Sequence, residues 1–313
     1  MPSLDFGVQI EPQYGFTYAH IKEVAEAAER LGYESIWVSD HFFMTPDTPD
    51  TNCLECYTVL TALARDTCRL RLGAMVASQS YRNPALLAKV AASLDHISGG
   101  RLNFGVGAGW KEVEYRAYGY PFPGPGVRIR QLDEALKVCR RMWAEDRASY
   151  EGKYYKVRDA LCAPKPVQKS LPVWVGGTGT QTLRVAARHA DAVNFAWSQP
   201  PAFFEERLKV LERHCARIGR DPSEIRRSAG LMVVLDETAE GVEARVAALR
   251  SRRDEYMRYL SRQPPNVTGT PDDLAELLGE YASLGVDHFI LRWHYGDELR
   301  SMRLFADEVM RRL

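Results

Sequence analysis

Short apolar runs alternate along the chain with longer segments in which apolar residues recur every three or four positions. The run from Phe6 to Ile10 is typical of a buried strand, and the segment after it keeps helical spacing as far as Gly32. This pair of patterns recurs, and eight strands are predicted at FGVQI, SIWVS, LRLGAMVA, LNFGVGAG, PVWVGG, AVNFA, AGLMVVLD and VDHFILRW. Eight repeats of strand and helix within 313 residues predict an α/β fold, the (β/α)8 TIM barrel.

Local signals mark where several of the helices begin. Asn83 before Pro84, and Thr270 before Pro271, each place a capping side chain next to the proline that suits the first helical position. The helix of the fourth repeat is predicted from about Val127 to Trp143. These signals fix the start of two helices more firmly than periodicity alone does.

One stretch, from about residue 145 to residue 171, departs from the even repeat and lies between helix 4 and strand 5. Its sequence YEGKYYKV has a glycine between aromatic and β-branched residues, which favours a small hairpin. Pro164 and Pro166 keep the rest extended. We therefore expect an insertion that covers one end of the barrel, within a single domain over residues 1–313.

Composition argues against several classes of partner. The 41 basic residues balance 41 acidic ones, so no overall charge favours nucleic acid or an anionic membrane. The N-terminus lacks a basic segment followed by an apolar one, and no apolar run has membrane-spanning length, so we expect a cytoplasmic protein. Cys53 and Cys56 form a lone CLEC motif without a further Cys or His pair, and no metal site is expected.

Asp40 and His41 close the second predicted strand, in the sequence WVSDHF. In a barrel of this kind the active site is built at the C-terminal ends of the strands. Two interpretations stay open on position alone. The two residues are either a structural pair, or a site in which Asp40 orients His41 for proton exchange with a substrate.

A glycine-rich turn follows the fifth strand, where VGGTGTQTL leads into a helix. Free N–H groups and the helix dipole at such a position can hold a phosphate, and Thr178 and Thr180 add hydroxyl donors. Glycine alone is a weak signal, since strand-to-helix turns often use it for backbone freedom. Neither this turn nor GVGAGW after strand four has the G-x-G-x-x-G spacing of a dinucleotide-binding fold.

Taken together, these segments resemble the luciferase-like monooxygenase family of flavin- and deazaflavin-dependent (β/α)8 enzymes. The resemblance covers nearly the whole chain and is carried by WVSDHF, LRLGAMVASQSYRNPALLAKVAASLDHISGGRLNFGVGAGW, RIRQLDEALKVCRRMW, YEGKYY, PKPVQ, LPVWVGGTGTQTLRVAARHADAVNF and VTGTPDDLAE. Within the family, SDHF and SGGRLNFGVGAGW are more similar to oxidoreductases that use the deazaflavin coenzyme F420 than to bacterial luciferase.

The resemblance implies roles for residues at matching positions. A non-proline cis peptide between Met75 and Val76 would lie against the cofactor ring. Asp40 and His41 match an acid-histidine pair that faces the ring edge. The backbone that lies along the cofactor and receives its phosphate would be that of Gly107, Gly109, Gly176, Gly177, Thr178 and Gly179.

The resemblance also implies an activity. It is that of an oxidoreductase which uses coenzyme F420 for hydride transfer to or from a small organic substrate, with His41 as proton donor or acceptor. An FMN-dependent monooxygenase is the first alternative, and a noncatalytic flavin-binding barrel is the second. Family members are often dimers, which leaves a homodimer open.

Trp110 is a departure from one branch of the family. In the sugar-phosphate dehydrogenases a glutamate follows the G-x-G of strand four, where this chain has Trp110, so a sugar phosphate is not the expected substrate. Trp110, Phe42 and Tyr81 are expected to shape an apolar or aromatic substrate pocket instead. For Trp197 core packing is the favoured interpretation.

Overall fold

The computed structural model describes residues 4–251 and 267–313, and within them eight parallel strands close into a barrel. The strands are β1 (Asp5–Ile10), β2 (Ser35–Val38), β3 (Arg71–Ala74), β4 (Ala77–Ser78), β5 (Leu102–Gly107), β6 (Ala148–Glu151), β7 (Lys156–Ala160), β8 (Val173–Gly176), β9 (Ala192–Phe195), β10 (Arg226–Leu235), β11 (Val267–Gly269) and β12 (His288–Arg292). The barrel order is β1, β2, β3, β5, β8, β9, β10 and β12, and β12 pairs with β1 to close it. The predicted (β/α)8 barrel is confirmed.

The register of the strands shows how the barrel wall is held. Gly7 of β1 lies opposite Ser35 of β2 on one side and Ile290 of β12 on the other. The barrel strands are almost entirely buried, which explains why they read as continuous apolar runs in the sequence. Because all eight are parallel, their C-terminal ends open on one face, and the polar residues at those ends come together there.

Helices surround the barrel, and the two with capping signals in the sequence begin where those signals predict. They are α1 (Tyr18–Leu31), α2 (Cys56–Asp66), α3 (Pro84–Ser98), α4 (Glu112–Ala117), α5 (Pro125–Ala144), α6 (Thr180–His189), α7 (Pro201–Ala216), α8 (Ala239–Ser251), α9 (Pro271–Ser283) and α10 (Glu298–Glu308). Asn83 Oδ1 accepts from the backbone N–H of Ala85 at 2.9 Å, and Thr270 forms a capping box with Asp273. Among the described helices, none is both long and apolar enough to cross a bilayer.

Two features interrupt the even repeat between β5 and β8. The antiparallel pair of β6 and β7 is the hairpin predicted from YEGKYYKV, and it follows α5 as expected for the insertion. The short helix α4 was not predicted, and it lies between β5 and α5. Helix α5 itself begins at Pro125, slightly before the predicted Val127. The extra helix matters because it carries a residue of the site.

Aromatic side chains fill the barrel interior. The rings of Trp37 and Trp174 lie 4.7 Å apart, and the ring of His288 lies 4.9 Å from Trp174. Gly73 leaves the space that the Trp37 ring occupies, because a Cβ at this position would overlap that ring. This packing leaves room for a ligand at the open C-terminal end of the barrel.

Candidate active site

A pocket of about 610 Å³ opens at the C-terminal ends of the barrel strands. A volume of this size suits a cofactor or a small organic molecule. Predicted site residues that line it are Asp40, His41, Met75, Val76, Tyr81, Gly107, Gly109, Trp110, Gly176, Gly177, Thr178 and Gly179. The fold thus brings together residues from four strand ends that the sequence suggested separately.

In the pocket wall formed after β3, by β5 and by β8, two glycines leave the space that the side chain of Val76 occupies. The peptide between Met75 and Val76 is cis, as predicted. A Cβ added to Gly107 would lie 2.7 Å from Val76 Cγ2, and one added to Gly176 would lie 2.8 Å from Val76 Cγ1. Any side chain at either glycine would therefore displace Val76. With its side chain seated in this space, Val76 forms part of a wall against which a planar ring can lie.

The turn after β8 leads directly into α6. Gly177 has a φ of 127°, which residues with a side chain rarely adopt, and Gly179 is the N-cap of α6 without a side-chain cap. The first N–H groups of a helix lack intrahelical partners and lie at the positive end of its dipole. Thr178 and Thr182 line the pocket beside this turn, so the turn can hold an anionic group such as a phosphate.

His41 lines the pocket with its side chain 14% exposed. Its Nδ1 lies 2.9 Å from Oε2 of Glu114, a fully buried carboxylate of α4. An ionised carboxylate accepts hydrogen bonds and does not donate them, so Nδ1 carries the hydrogen and Nε2 is left to a ligand. The Trp110 ring meets His41 edge to face, with 5.7 Å between centroids.

Glu114 is held by several donors at once. Besides His41, the backbone N–H of Phe42 donates at 2.8 Å, the ammonium of Lys111 at 3.0 Å and the hydroxyl of Tyr81 at 2.9 Å. Burial would raise the pKa of Glu114, but the hydrogen bond and charge of His41, followed by the charge of Lys111, lower it to about 2. Glu114 is therefore a fixed negative charge behind His41 at neutral pH.

Asp40 has a different partner from the one expected. Its carboxylate accepts hydrogen bonds from both terminal nitrogens of Arg82, at 2.8 and 3.0 Å, and from the backbone N–H of Ser78, at 3.1 Å. Asp40 and His41 follow the end of β2 at Val38, and their side chains reach different partners, Arg82 and Glu114. The expectation that Asp40 orients His41 is therefore wrong. Asp40 instead ties the end of β2 to the segment that follows β3.

Glu114 was missed because α4 is too short to show a periodic pattern. Within its six residues Glu114 and Tyr115 are buried, while Glu112 is exposed, and the sequence does not separate the two glutamates. The available signal was the long connection between the end of strand four and the next predicted helix. Connections at this face of a barrel commonly carry site residues.

The aromatic residues predicted for the pocket divide into two groups. Trp110 stands at the pocket mouth with 62% of its surface exposed. Phe42, in contrast, lies outside the lining, because its backbone is bound to Glu114 and its ring stacks on Tyr118 at 4.0 Å. Phe42 therefore does not shape the pocket as predicted. Trp197, for which core packing was favoured, lines the pocket as well as packing against the core.

Two residues of the lining that were not predicted form an ion pair. Arg292 Nη1 lies 3.2 Å from Oε1 of Glu11, and both side chains are less than a tenth exposed. Gln13 donates to the other oxygen of Glu11 at 2.8 Å. The pair gives the pocket a polar wall. Over residues 4–251 and 267–313, no group of three or more His, Cys, Asp or Glu side chains has the arrangement of a metal site.

Curated proteins align with almost the whole chain. It is 27% identical over 309 residues to an F420-dependent glucose-6-phosphate dehydrogenase from Microbacterium testaceum, covering 91% of this chain and 90% of the relative. It is also 27% identical over 301 residues to the pyrimidine monooxygenase RutA from Stutzerimonas stutzeri, covering 93% of this chain and 81% of that protein.

The fold is shared with solved structures. An F420-dependent secondary alcohol dehydrogenase, in complex with an F420-acetone adduct, aligns with a TM-score of 0.84 at 21% identity, covering 98% of each chain. At this identity the likeness concerns the fold alone. The family model for the luciferase-like monooxygenases matches residues 4–312. The chain therefore belongs to the luciferase-like monooxygenase family.

Proposed function

We propose that this protein is an oxidoreductase which transfers a hydride between coenzyme F420 and a small organic substrate. The observation that carries the proposal is His41 in the pocket, with Nδ1 held by the buried carboxylate of Glu114, in the same pocket as the wall formed by Met75 and Val76. The choice of cofactor is supported by relatives named as F420-dependent enzymes.

The residues present fit such a cofactor. Its ring would lie against Met75 and Val76, where Gly107 and Gly176 carry no side chain. The residues assigned to the rest of the cofactor, including its phosphate, are Gly109, Gly176, Gly177, Thr178 and Gly179. When bound, coenzyme F420 supplies a ring carbon that donates or accepts a hydride.

His41 is assigned the proton exchange with the substrate. A carbonyl that receives a hydride needs a proton on its oxygen, and an alcohol that loses a hydride must also lose a proton. Glu114 holds the ring of His41 and stabilises its charged form while the proton is on it. Asp40 is assigned a positioning role, since through Arg82 and Ser78 it fixes the segment that carries His41.

The substrate is proposed to be an apolar or aromatic carbonyl compound or the matching alcohol. Trp110, whose ring meets His41 edge to face, and Tyr81 both present aromatic surface to the pocket. A sugar phosphate is disfavoured, because Trp110 occupies the position where the resemblance to sugar-phosphate dehydrogenases places a glutamate. The proposal thus separates this chain from the glucose-6-phosphate dehydrogenase that it resembles.

An FMN-dependent monooxygenase is the second candidate. The similarity to a pyrimidine monooxygenase favours it, at the same identity as to the F420-dependent relative. A flavin ring and a deazaflavin ring have the same outline, so the wall formed by Met75 and Val76 accepts either. The shape of the pocket therefore does not distinguish the two candidate functions, and the relative affinity for coenzyme F420 and FMN does.

Equilibrium binding tests the proposal. Purified protein is titrated with coenzyme F420 and with FMN, and we expect clear preference for coenzyme F420. Stopped-flow spectroscopy with a panel of apolar and conjugated carbonyl compounds then measures substrate-dependent oxidation of the reduced cofactor. Preference for FMN together with oxygen consumption would favour the monooxygenase. Tight binding without any substrate-dependent oxidation would favour a noncatalytic flavin-binding barrel, and binding of neither cofactor would overturn the proposal.

A further inference from the structure

A chain of hydrogen-bonding groups crosses the barrel interior below the pocket. Asn194 of β9 donates through Nδ2 to the hydroxyl of Ser228 in β10 at 2.9 Å, and that hydroxyl lies 3.0 Å from Nδ1 of His288 in β12. Nε2 of His288 lies 3.2 Å from the hydroxyl of Ser35 and 3.4 Å from the carboxylate of Glu34. Asn194, Ser228 and His288 are almost completely buried, while Glu34 reaches solvent.

The charge of Glu34 and the amide of Asn194 favour one direction for these hydrogen bonds. Burial lowers the pKa of His288 against the opposing effect of Glu34, so the ring is neutral and has one N–H. An ionised carboxylate only attracts donors, so Oε2 of Glu34, 3.4 Å from Nε2, favours the hydrogen on that nitrogen. Nδ1 then accepts from the hydroxyl of Ser228, and the oxygen of Ser228 in turn accepts from the amide nitrogen of Asn194.

This direction leaves the amide oxygen of Asn194 as an acceptor. Oδ1 is buried and finds no hydrogen-bond partner among the residues that the structure describes, while Asn194 itself lines the pocket. Buried polar atoms of native proteins are nearly always paired. An unpaired acceptor at the wall of a pocket therefore indicates a donor on the ligand.

Asn194 stands beside the wall that is assigned to the cofactor ring. It lies opposite Gly176 in the sheet register, and its backbone carbonyl accepts from the N–H of Gly177 at 3.3 Å. Gly176 is in turn the glycine that Val76 packs against. The amide of Asn194 is thus next to the surface on which a planar ring can lie.

We propose that Asn194 Oδ1 accepts a hydrogen bond from the imide N–H of the cofactor ring. Ser228 and His288 are positioning residues that keep the amide oxygen directed at this donor. The inference rests on the proposed function, because it needs a tricyclic cofactor in the pocket. The imide N–H lies between two carbonyl groups of the ring system and is common to FMN and coenzyme F420, so the assignment holds for either.

Binding of matched cofactor analogues tests this role without any turnover. The dissociation constants of FMN and of 3-methyl-FMN, in which a methyl group replaces the imide hydrogen, are measured by fluorescence titration, together with the corresponding deazaflavin riboside pair. Wild-type protein is expected to bind the unmethylated ring about tenfold more tightly or better, as loss of a buried hydrogen bond predicts. In Asn194→Ala this preference should fall to about threefold or less, because the acceptor is gone and the methyl group gains space.

Asn103→Ala is the matched control. Asn103 is a buried amide of β5 whose Oδ1 accepts from Arg71 at 2.9 Å, outside the pocket lining, so its loss should keep the wild-type preference. Ser228→Ala frees the amide of Asn194 to rotate and should reduce the preference for the unmethylated ring. Ser228→Thr keeps a hydroxyl and should keep the wild-type preference. These two variants give the same test if Asn194→Ala fails to fold.

The outcomes separate this inference from the proposed function. If wild type binds FMN or coenzyme F420 and a folded Asn194→Ala or Ser228→Ala keeps the full preference, the role of Asn194 is overturned, and the cofactor preference alone decides between the proposed function and the monooxygenase. If wild type binds neither the flavin nor the deazaflavin, the proposed function fails and this inference fails with it. A wild-type protein that binds the methylated and unmethylated rings equally also overturns the role of Asn194.

Discussion

His41 and His288 each face a glutamate, yet they occupy opposite kinds of place in the barrel. His41 lies at the pocket, 2.9 Å from Glu114, and its Nε2 has no protein partner in the described part of the chain. His288 is fully buried in the barrel interior, with Ser228 at one ring nitrogen and Ser35 and the carboxylate of Glu34 at the other. A carboxylate beside a histidine thus does not define a site. The free second nitrogen does, because a ligand can reach it.

The two glutamates differ in the same sense. The side chain of Glu114 is fully buried and receives donors from several directions, whereas that of Glu34 is about a quarter exposed, at 23%. In both, burial acts to raise the carboxyl pKa, and the histidine together with the other neighbouring donors and charges outweighs it, so the pKa of each lies below its ordinary value. Complete burial makes Glu114 the stronger electrostatic partner, since water does not screen its charge.

Replacing each histidine by alanine should break the comparison most clearly. His41→Ala is expected to lower the substrate-dependent rate by about a hundredfold or more while cofactor affinity changes by a small factor, as loss of a general acid or base does. His288→Ala removes a fully buried ring and should lower the free energy of unfolding by about 2 to 4 kcal/mol. Stopped-flow kinetics and urea unfolding of both variants measure these effects.

The same loss of stability in both variants, without a loss of rate in His41→Ala, would contradict the catalytic role of His41. If His41→Ala loses stability like His288→Ala and its folded fraction reacts at the wild-type rate, His41 is structural. The proton exchange would then have to be sought at another group of the pocket wall, such as Glu11.

Acid titration of stability sharpens the contrast between the glutamates. The pKa of Glu114 is lowered from 4.5 to about 2, so folding favours its ionised form. Its stabilising contribution is present above about pH 4.5 and is lost as the pH falls through about 2, and it amounts to on the order of 3 kcal/mol. In Glu114→Gln the loss of stability between about pH 6 and about pH 3 should therefore be smaller than in wild type.

Glu112→Gln is the control for this titration. Glu112 lies in the same helix, about half exposed and paired with Arg116, so its replacement should leave the acid dependence of unfolding close to that of wild type. Urea unfolding at several pH values gives all three curves. Parallel curves for wild type and Glu114→Gln would show that Glu114 has no special ionised state.

A smaller effect is expected at the phosphate turn, which tests the pocket without altering either histidine. Thr178→Asp places a carboxylate beside the N-terminus of α6, where it would repel a bound phosphate. Cofactor affinity should fall by about tenfold, whereas Thr178→Asn, of similar shape and without charge, should stay close to wild type. Equal affinities of the two folded variants in a fluorescence titration would remove the phosphate from this turn.

The parts of the molecule that were predictable from sequence depend on local signals. The start of α3 follows from the capping side chain of Asn83 and the fixed backbone of Pro84, both within the segment itself. The glycines around Val76 belong to motifs that carry the family resemblance, and the structure shows why a side chain is excluded there.

The parts that were missed depend on contacts between distant segments. Glu114 lies in a helix of six residues and contacts His41 from 73 positions away, so no local pattern in the sequence predicts this contact. Asp40 was expected to contact its sequence neighbour His41, but it forms a two-point ion pair with Arg82, 42 positions away. Which of two acids reaches a histidine is decided by the directions of side chains in the folded barrel.

Trp110 gives the pocket a position at which substrate preference can change during evolution. With 62% of its surface exposed and one edge contact to His41, the indole contributes little to folding, so many replacements should be tolerated there. Gly107 and Gly176 have no such freedom, since any side chain there collides with Val76. Directed evolution for a new substrate should accordingly begin with saturation of position 110 and leave both glycines intact.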